Sequence, residues 1–234
     1  MTSLSHGQQH VVRVFAGPDG LLGAVIEDAA KHRDIAWLTP HAEAVLAGPL
    51  LAEHGRDLGR EAKISEGIIL SPAAALKEAV DPARRSFVVG SRGPLLTVFF
   101  DANCIYCHVL YGQLTPLIAA GDVRVRFVVV GTFKASSTPR GAAILAAAQP
   151  AKALMENERD YHAANEEGGF PVPRRIDHAL AEVVTSNSAL FANAGMQGTP
   201  SILYCNRQGR VALEPGMPND LKAFIAGVSS KPCE

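Results

Sequence analysis

The chain has 234 residues, 47% of them hydrophobic and 19% charged, which is globular usage and excludes a disordered protein. Its 22 Lys and Arg against 23 Asp and Glu leave a formal charge of −1, which removes the electrostatic case for nucleic acid or an anionic membrane as main partner. The cysteines, Cys104, Cys107, Cys205 and Cys233, are too few for a disulfide-built miniprotein and place any thiol chemistry in the second half.

The first elements read as short strands. Val11–Phe15 ends at the turn cluster Gly17-Pro18-Asp19-Gly20, and Leu21–Ile26, Ile35–Leu38 and Ala44–Ala47 follow. Further breaks fall at Gly48-Pro49 and at His54–Asp57. This spacing predicts a small antiparallel sheet over residues 8–66. So small a domain buries little surface alone, and dimerisation would complete it. Ser71-Pro72 then opens a helix, Ser71 as N-cap and Pro72 at the first helical position, inside a connector over residues 67–90.

From Pro94 the texture changes. Leu95–Phe100 is a continuous apolar run of strand length, as for a strand buried on both faces. A helical pattern follows to about Ala120, with Gly121 as terminator, and then a second strand, Val123–Val130. Strand, helix and strand of these lengths form a βαβ unit with parallel strands. Residues 135–193 are Ala-rich and helical, interrupted by Gly168–Pro173. Ser201–Cys205 is a further strand, turned by Asn206–Gly209 into Arg210–Leu213, and Asn219 is placed to cap a final helix, Asp220–Ala226. The apolar runs are far shorter than the roughly 18–20 residues of a membrane span. Met1–Gly7 has no basic segment leading into an apolar core, so two locations stay open: the cytoplasm, or a chain whose signal has been removed.

Cys104-Ile105-Tyr106-Cys107 lies where the buried strand gives way to the helix. Unpaired N–H groups and the positive dipole end at a helix start favour a thiolate, with pKa values of about 3.5–7.5. The geometry predicts an exposed Cys104 as nucleophile and an inward-facing Cys107 as the thiol that resolves a mixed disulfide. A zinc site needs four ligands as a rule. His108 follows Cys107, but no second compact Cys or His pair exists, so the context favours redox chemistry with no metal and no cofactor. Gly198-Thr199-Pro200 leads into the strand at Ser201. Its plain reading is a trans proline at a strand start. Its sharper reading is a cis bond that sets a backbone edge beside Cys104. Tyr106 is read as part of the substrate surface, His108 as tuning the site or merely solvated, and Asp101 as supporting the helix N-terminus. Arg84-Arg85 and Arg174-Arg175 are read as solvated loop charges.

Phe99–His108, Val129-Val130-Gly131, Gly198-Thr199-Pro200 and Gly216-Met217-Pro218-Asn219 together resemble the bacterial periplasmic DsbC/DsbG family. Gly20–Gly23 and Trp37–Pro40 add to the likeness, which runs over about residues 10–227 and is nearer DsbG. The resemblance implies an α+β protein: a small cystatin-like N-terminal dimerisation domain (8–66), a linker with a helix (67–90), and a thioredoxin-fold catalytic domain (91–234) with a helical insertion at about 135–193. It implies a homodimer in the periplasm, acting on misoxidised or unfolded proteins and kept reduced by a membrane thiol reductase of the DsbD type. Carried over by motif, Cys104 is the nucleophile, Cys107 the resolving thiol, and Thr199 and Pro200 the cis-proline loop, with Ile105 and Tyr106 meeting substrate. Ile105 departs from the pattern, since the family commonly has Gly or Pro there, and this dipeptide tunes the redox potential.

Cys205 and Cys233 have two readings, a buried inert thiol with an exposed one near the C-terminus, or a structural disulfide. Closing that loop is worth roughly 3–4 kcal/mol on the chain-entropy model. The expected function is thiol–disulfide exchange on proteins, as isomerase or reductase, including reduction of a sulfenic acid. The alternatives are a dimeric chaperone with an incidental dithiol and a disulfide-donating oxidase.

Overall fold

The computed structural model describes residues 7–46 and 48–233, so expectations placed on residues 1–6, on Ala47 and on Glu234 lie outside the described residues. The chain divides into one compact unit through Leu70 and a second from Ser71.

In the first unit, β1 (Gln9–Ala16), β2 (Leu22–Asp28), β3 (Arg33–Leu38) and β4 (Val45–Leu46) form an antiparallel sheet in chain order. Strand alternation sends Ala24, Ile26, Ala36 and Leu38 to one buried face. Val11, Val12 and Val14 on the edge strand β1 stay 40%, 45% and 55% exposed. A helix, α1 (Leu58–Ser65), follows where only strands and turns were expected. Its start signal is present: Asp57 caps it by accepting from the Arg60 amide at 2.9 Å. Gly59, a poor helix former, masks the pattern in the first turn.

The second unit opens with α2 (Pro72–Ala79), capped as expected by Ser71, which accepts from the Ala74 amide at 3.2 Å. Then come β5 (Phe87–Val89), β6 (Leu95–Asp101), α3 (Ile105–Ala120) and β7 (Arg124–Val130). The insertion carries α4 (Ser137–Ala146), α5 (Pro150–Arg159) and α6 (His178–Asn193). The chain closes with β8 (Ser201–Cys205), β9 (Val211–Pro215) and α7 (Leu221–Ala226). The five strands run in the order β5-β7-β6-β8-β9, with β6 and β7 parallel and the other pairs antiparallel.

Because β6 has a neighbour on each side and helices over each face, Leu96, Val98, Phe99 and Phe100 are wholly buried. Leu110 and Leu114 of α3 and Ile225 of α7 pack with Val98, Phe100 and Phe127, while Ala142 and Leu145 of α4 and Val184 of α6 pack around Val129. Gly121 ends α3 in the left-handed conformation, φ 81°, which a Cβ would oppose. Three details of this unit differ from the sequence reading. The strand β5 went unread because three residues carry no period. The final helix is capped by Asp220 and not Asn219, its carboxylate accepting from the Ala223 amide at 2.9 Å. Arg84 is also no solvated charge: its guanidinium reaches Ser186 Oγ at 2.6 Å and Glu78 at 2.9 Å, bridging α2 and α6. Arg174 and Arg175 are exposed.

Cys205 and Cys233 are joined in a disulfide, with Cα atoms 5.4 Å apart and the two residues 28 positions apart in sequence. It ties the C-terminal tail to β8, where the Ser229 amide also donates to the Cys205 carbonyl at 2.7 Å. Opening it with Cys233→Ser should lower the unfolding free energy by about 3–4 kcal/mol in urea titration. A Cys104→Ser/Cys107→Ser protein should show no titratable thiol until that bond is reduced.

Candidate active site

The site grows out of the end of β6. Asp101 is wholly buried, and its carboxylate accepts from the amides of Asn103 at 3.0 Å and of Thr132 and Phe133 at 2.9 Å each. It therefore fastens the loop after β7 to the β6–α3 junction, which corrects the simpler role expected of it at the helix start. Asn103, also wholly buried, is the hub of the junction. Its side chain donates to Ser136 Oγ at 3.0 Å and accepts from the Gly168 amide at 3.0 Å, and its carbonyl accepts from the Tyr161 hydroxyl at 2.8 Å. A Cβ at Gly168 would run into the Asn157 side-chain amide and the Ala102 carbonyl, so this close approach requires glycine.

Held this way, Cys104 takes the N-cap position of α3 with extended backbone, φ −77° and ψ 125°. Its Sγ lies 3.2 Å from the Thr199 carbonyl, and the Thr199–Pro200 bond is cis. Pro200 is buried, and its carbonyl accepts from the Gly216 amide at 2.9 Å. Cys104 was expected to be the exposed thiol; it is only 5% exposed, with its sulfur against the Thr199 carbonyl, and Cys107 is wholly buried. Of the other residues singled out in the motif, Tyr106 is 63% exposed and Ile105 half-buried.

The two thiols differ sharply in acidity. A hydrogen bond from the Cys107 thiol, helped by Thr199 and by the amides of Cys107 and Tyr106, outweighs burial and brings Cys104 down to about 6. Burial, and next the bond and charge of Cys104, push Cys107 well above the ordinary thiol range. The arrangement is one activated sulfur over one held as a thiol.

Sequence reasoning missed the wall formed by the insertion. His108 is no loosely solvated side chain: its Nδ1 lies 2.9 Å from Glu158 Oε2, and its ring stacks on Tyr161 with centroids 4.3 Å apart. Asn157, wholly buried, donates to the Ala102 carbonyl at 2.9 Å. No local pattern ties these residues to a cysteine 50 or more positions earlier.

The family model of the thioredoxin-like domain matches residues 86–226. The chain is also 32% identical over 218 residues to the thiol:disulfide interchange protein DsbG of Pseudomonas aeruginosa, covering 91% of this chain and 82% of that one. The chain belongs to the DsbC/DsbG family. Within that family it is also 26% identical over 214 residues to DsbG of Escherichia coli, covering 89% of this chain and 82% of that protein. The compact form of Proteus mirabilis ScsC shares the fold at a TM-score of 0.53 and 18% identity, over 71% of this chain and 83% of that structure. In this DsbG-like chain, Cys104, Cys107, Thr199 and Pro200 meet at one end of the sheet, and the disulfide of Cys205 and Cys233 leaves those sulfurs no part in a zinc site.

Alkylation of the reduced protein by iodoacetamide should reach Cys104 alone, with a rate rising through a midpoint near pH 6. An ordinary thiol midpoint of about 8.5 would contradict this. Since the fold lowers this pKa, the thiolate stabilises the reduced fold fully above about pH 8.5, and that stability is lost as pH falls through about 6. Asn103→Leu, which strands buried partners, should lower the unfolding free energy by about 2–4 kcal/mol in urea.

Proposed function

We propose that Cys104 and Cys107 carry thiol–disulfide exchange on protein substrates, Cys104 as nucleophile and Cys107 as resolving thiol, so that the protein isomerises or reduces disulfides. The observation that carries this reading is the unequal pair: a thiolate-favouring Cys104 at the start of α3 above a buried, protonated Cys107. The Cys104 thiolate attacks one sulfur of a substrate disulfide, and the other leaves as a thiolate that takes up a proton. The mixed disulfide then has two fates. A second substrate thiol attacks the substrate sulfur, which rearranges the pairing and returns Cys104. Alternatively Cys107 loses its proton and attacks Cys104 Sγ, releasing a reduced substrate and an oxidised Cys104–Cys107 pair. A sulfenic acid on a substrate cysteine leads to the same mixed disulfide with loss of water.

Thr199 and Pro200, lying against the sulfur, and the outward Tyr106 with Ile105 form the surface that an extended substrate chain meets. The exposed valines of β1 support a homodimer joined through the first unit, since an apolar edge strand invites pairing with a second copy. The Cys205–Cys233 disulfide supports an oxidising compartment, the periplasm. Return of the oxidised pair to the dithiol then falls to a membrane reductase of the DsbD type. One observation favours a second reading, disulfide donation: a stabilised thiolate makes the couple more oxidising, and the reduction potential separates the two.

Insulin reduction and refolding of scrambled ribonuclease should fall on the order of 100-fold or more in Cys104→Ser, and Cys107→Ser should accumulate the mixed disulfide. Activity in Cys104→Ser equal to the unsubstituted protein would end this reading.

A further inference from the structure

The second unit holds a cavity that the exchange cycle leaves unused. Its volume is about 580 Å³, within the roughly 300–1,000 Å³ of small-molecule sites. One wall is α2, which buries Ala75 and Ala79 and turns Ala73, Leu76, Lys77 and Val80, a stripe at i, i+3, i+4 and i+7, to the cavity. The floor is the sheet. Leu95 and Thr97 of β6 share a face by strand alternation, and Leu203 of β8 pairs directly with Thr97. The opposite wall is the C-terminal tail from Ser229 to Cys233. The Cys205–Cys233 disulfide and the bond from the Ser229 amide to the Cys205 carbonyl hold that tail in place.

This cavity stands apart from the dithiol. It lies at the start of β6 and the end of β8, whereas Cys104 follows the end of β6 and Pro200 precedes the start of β8. The seven residues of β6 separate the two regions by about 20 Å of extended chain.

The charge of the lining is one-sided. Lys77, Arg124 and Lys231 enter it from α2, the start of β7 and the tail, and no Asp or Glu lines it among the described residues. Glu78, beside Lys77, is taken by Arg84 at 2.9 Å. Arg124 donates from Nε to the Gly93 carbonyl at 3.0 Å, which leaves its two Nη atoms, donors suited to a carboxylate, without a partner among the described residues. Lys77 and Lys231 are exposed and Arg124 is half-buried, while Thr97 and Leu203 are buried. Positive charge therefore gathers at the mouth, above a largely apolar floor.

We propose that this cavity binds a small amphiphilic anion, an aliphatic carboxylate whose chain lies over Leu76, Leu95 and Leu203 and whose head meets Arg124 and Lys77. The disulfide contributes by fixing the tail wall before the ligand arrives, which lowers the ordering cost of binding. The site does not depend on the roles of Cys104 and Cys107.

Isothermal titration calorimetry of the full-length protein with decanoate tests this. Decanol, acetate and decyltrimethylammonium supply the tail alone, the head alone and the opposite charge. Decanoate should saturate at one per chain, and each of the other three should bind at least about tenfold more weakly. Lys77→Glu and Arg124→Gln should each weaken decanoate about tenfold, with Arg124→Lys restoring part of the loss. Val80 is 43% exposed, so Val80→Glu should fold and repel the ligand at the mouth. Cys233→Ser should weaken binding several-fold by freeing the wall. Insulin reduction by Lys77→Glu should keep the unsubstituted rate, which separates failure here from failure of the exchange reading. No saturable binding at millimolar decanoate overturns the proposal. So does decanol binding as tightly as decanoate, or unchanged affinity in both Lys77→Glu and Arg124→Gln. If Arg124→Gln does not fold, as read by circular dichroism, Lys77→Glu and Val80→Glu decide in its place. Decanoate binding seen only together with a change in sedimentation coefficient gives this face to a second copy of the chain and likewise overturns it.

Discussion

A sulfur stays ionised near neutral pH only where hydrogen-bond donors are aimed at it and cannot drift away, and here that condition hangs on one clamped backbone junction. Asp101 and Asn103, both wholly buried, fix the passage from β6 to α3 from several sides at once. Asp101 draws in the loop after β7, and Asn103 draws in Ser136, Gly168 and Tyr161. Cys104 follows directly, so its place over the first amides of α3 is set by partners that lie far along the chain. Without that clamp the amides would still exist, but their aim at the sulfur would be lost to thermal motion.

The same region distributes charge unevenly by burial. Cys104 keeps a thiolate because donors answer its charge; Cys107, deeper and facing that charge, keeps its proton. Glu158 sits in the same low-polarity environment with bonds that hold it in place and a neighbouring thiolate that opposes its ionisation. Cys104 and Cys107 cannot ionise independently, since the charge on one raises the cost of the next. The helical insertion supplies the wall that makes this possible. Asn157, Glu158, Tyr161 and Gly168 all come from it, and each touches the junction or the residues beside it.

Much of the frame was legible in order along the chain. The continuous apolar run Leu95–Phe100, the helix ended by Gly121 and the apolar Val125–Val130 could only be a buried βαβ unit, and Ser201–Cys205 is a strand over the residues expected. Short or masked elements were not legible: α1 hides behind Gly59, and β5 is too brief to show a period. The CxxC pair and the Thr-Pro step were visible as motifs, yet their spacing says nothing of burial. Cys104 therefore read as exposed, when it is in fact buried with its sulfur against the Thr199 carbonyl.

The sequence by itself determined that any thiol chemistry lies in the second half, that one cysteine pair stands at a strand–helix junction, and that a buried βαβ unit carries it. These follow from local rules, because periodicity, caps and turn residues act over a few positions. Only the tertiary structure decided that Cys205 binds Cys233, that Asp101 serves the loop after β7, and that His108 answers to Glu158. Each of these joins residues roughly 30 to 50 positions apart. Contacts of that range depend on how the insertion folds back over the sheet, and no local pattern of residues records it.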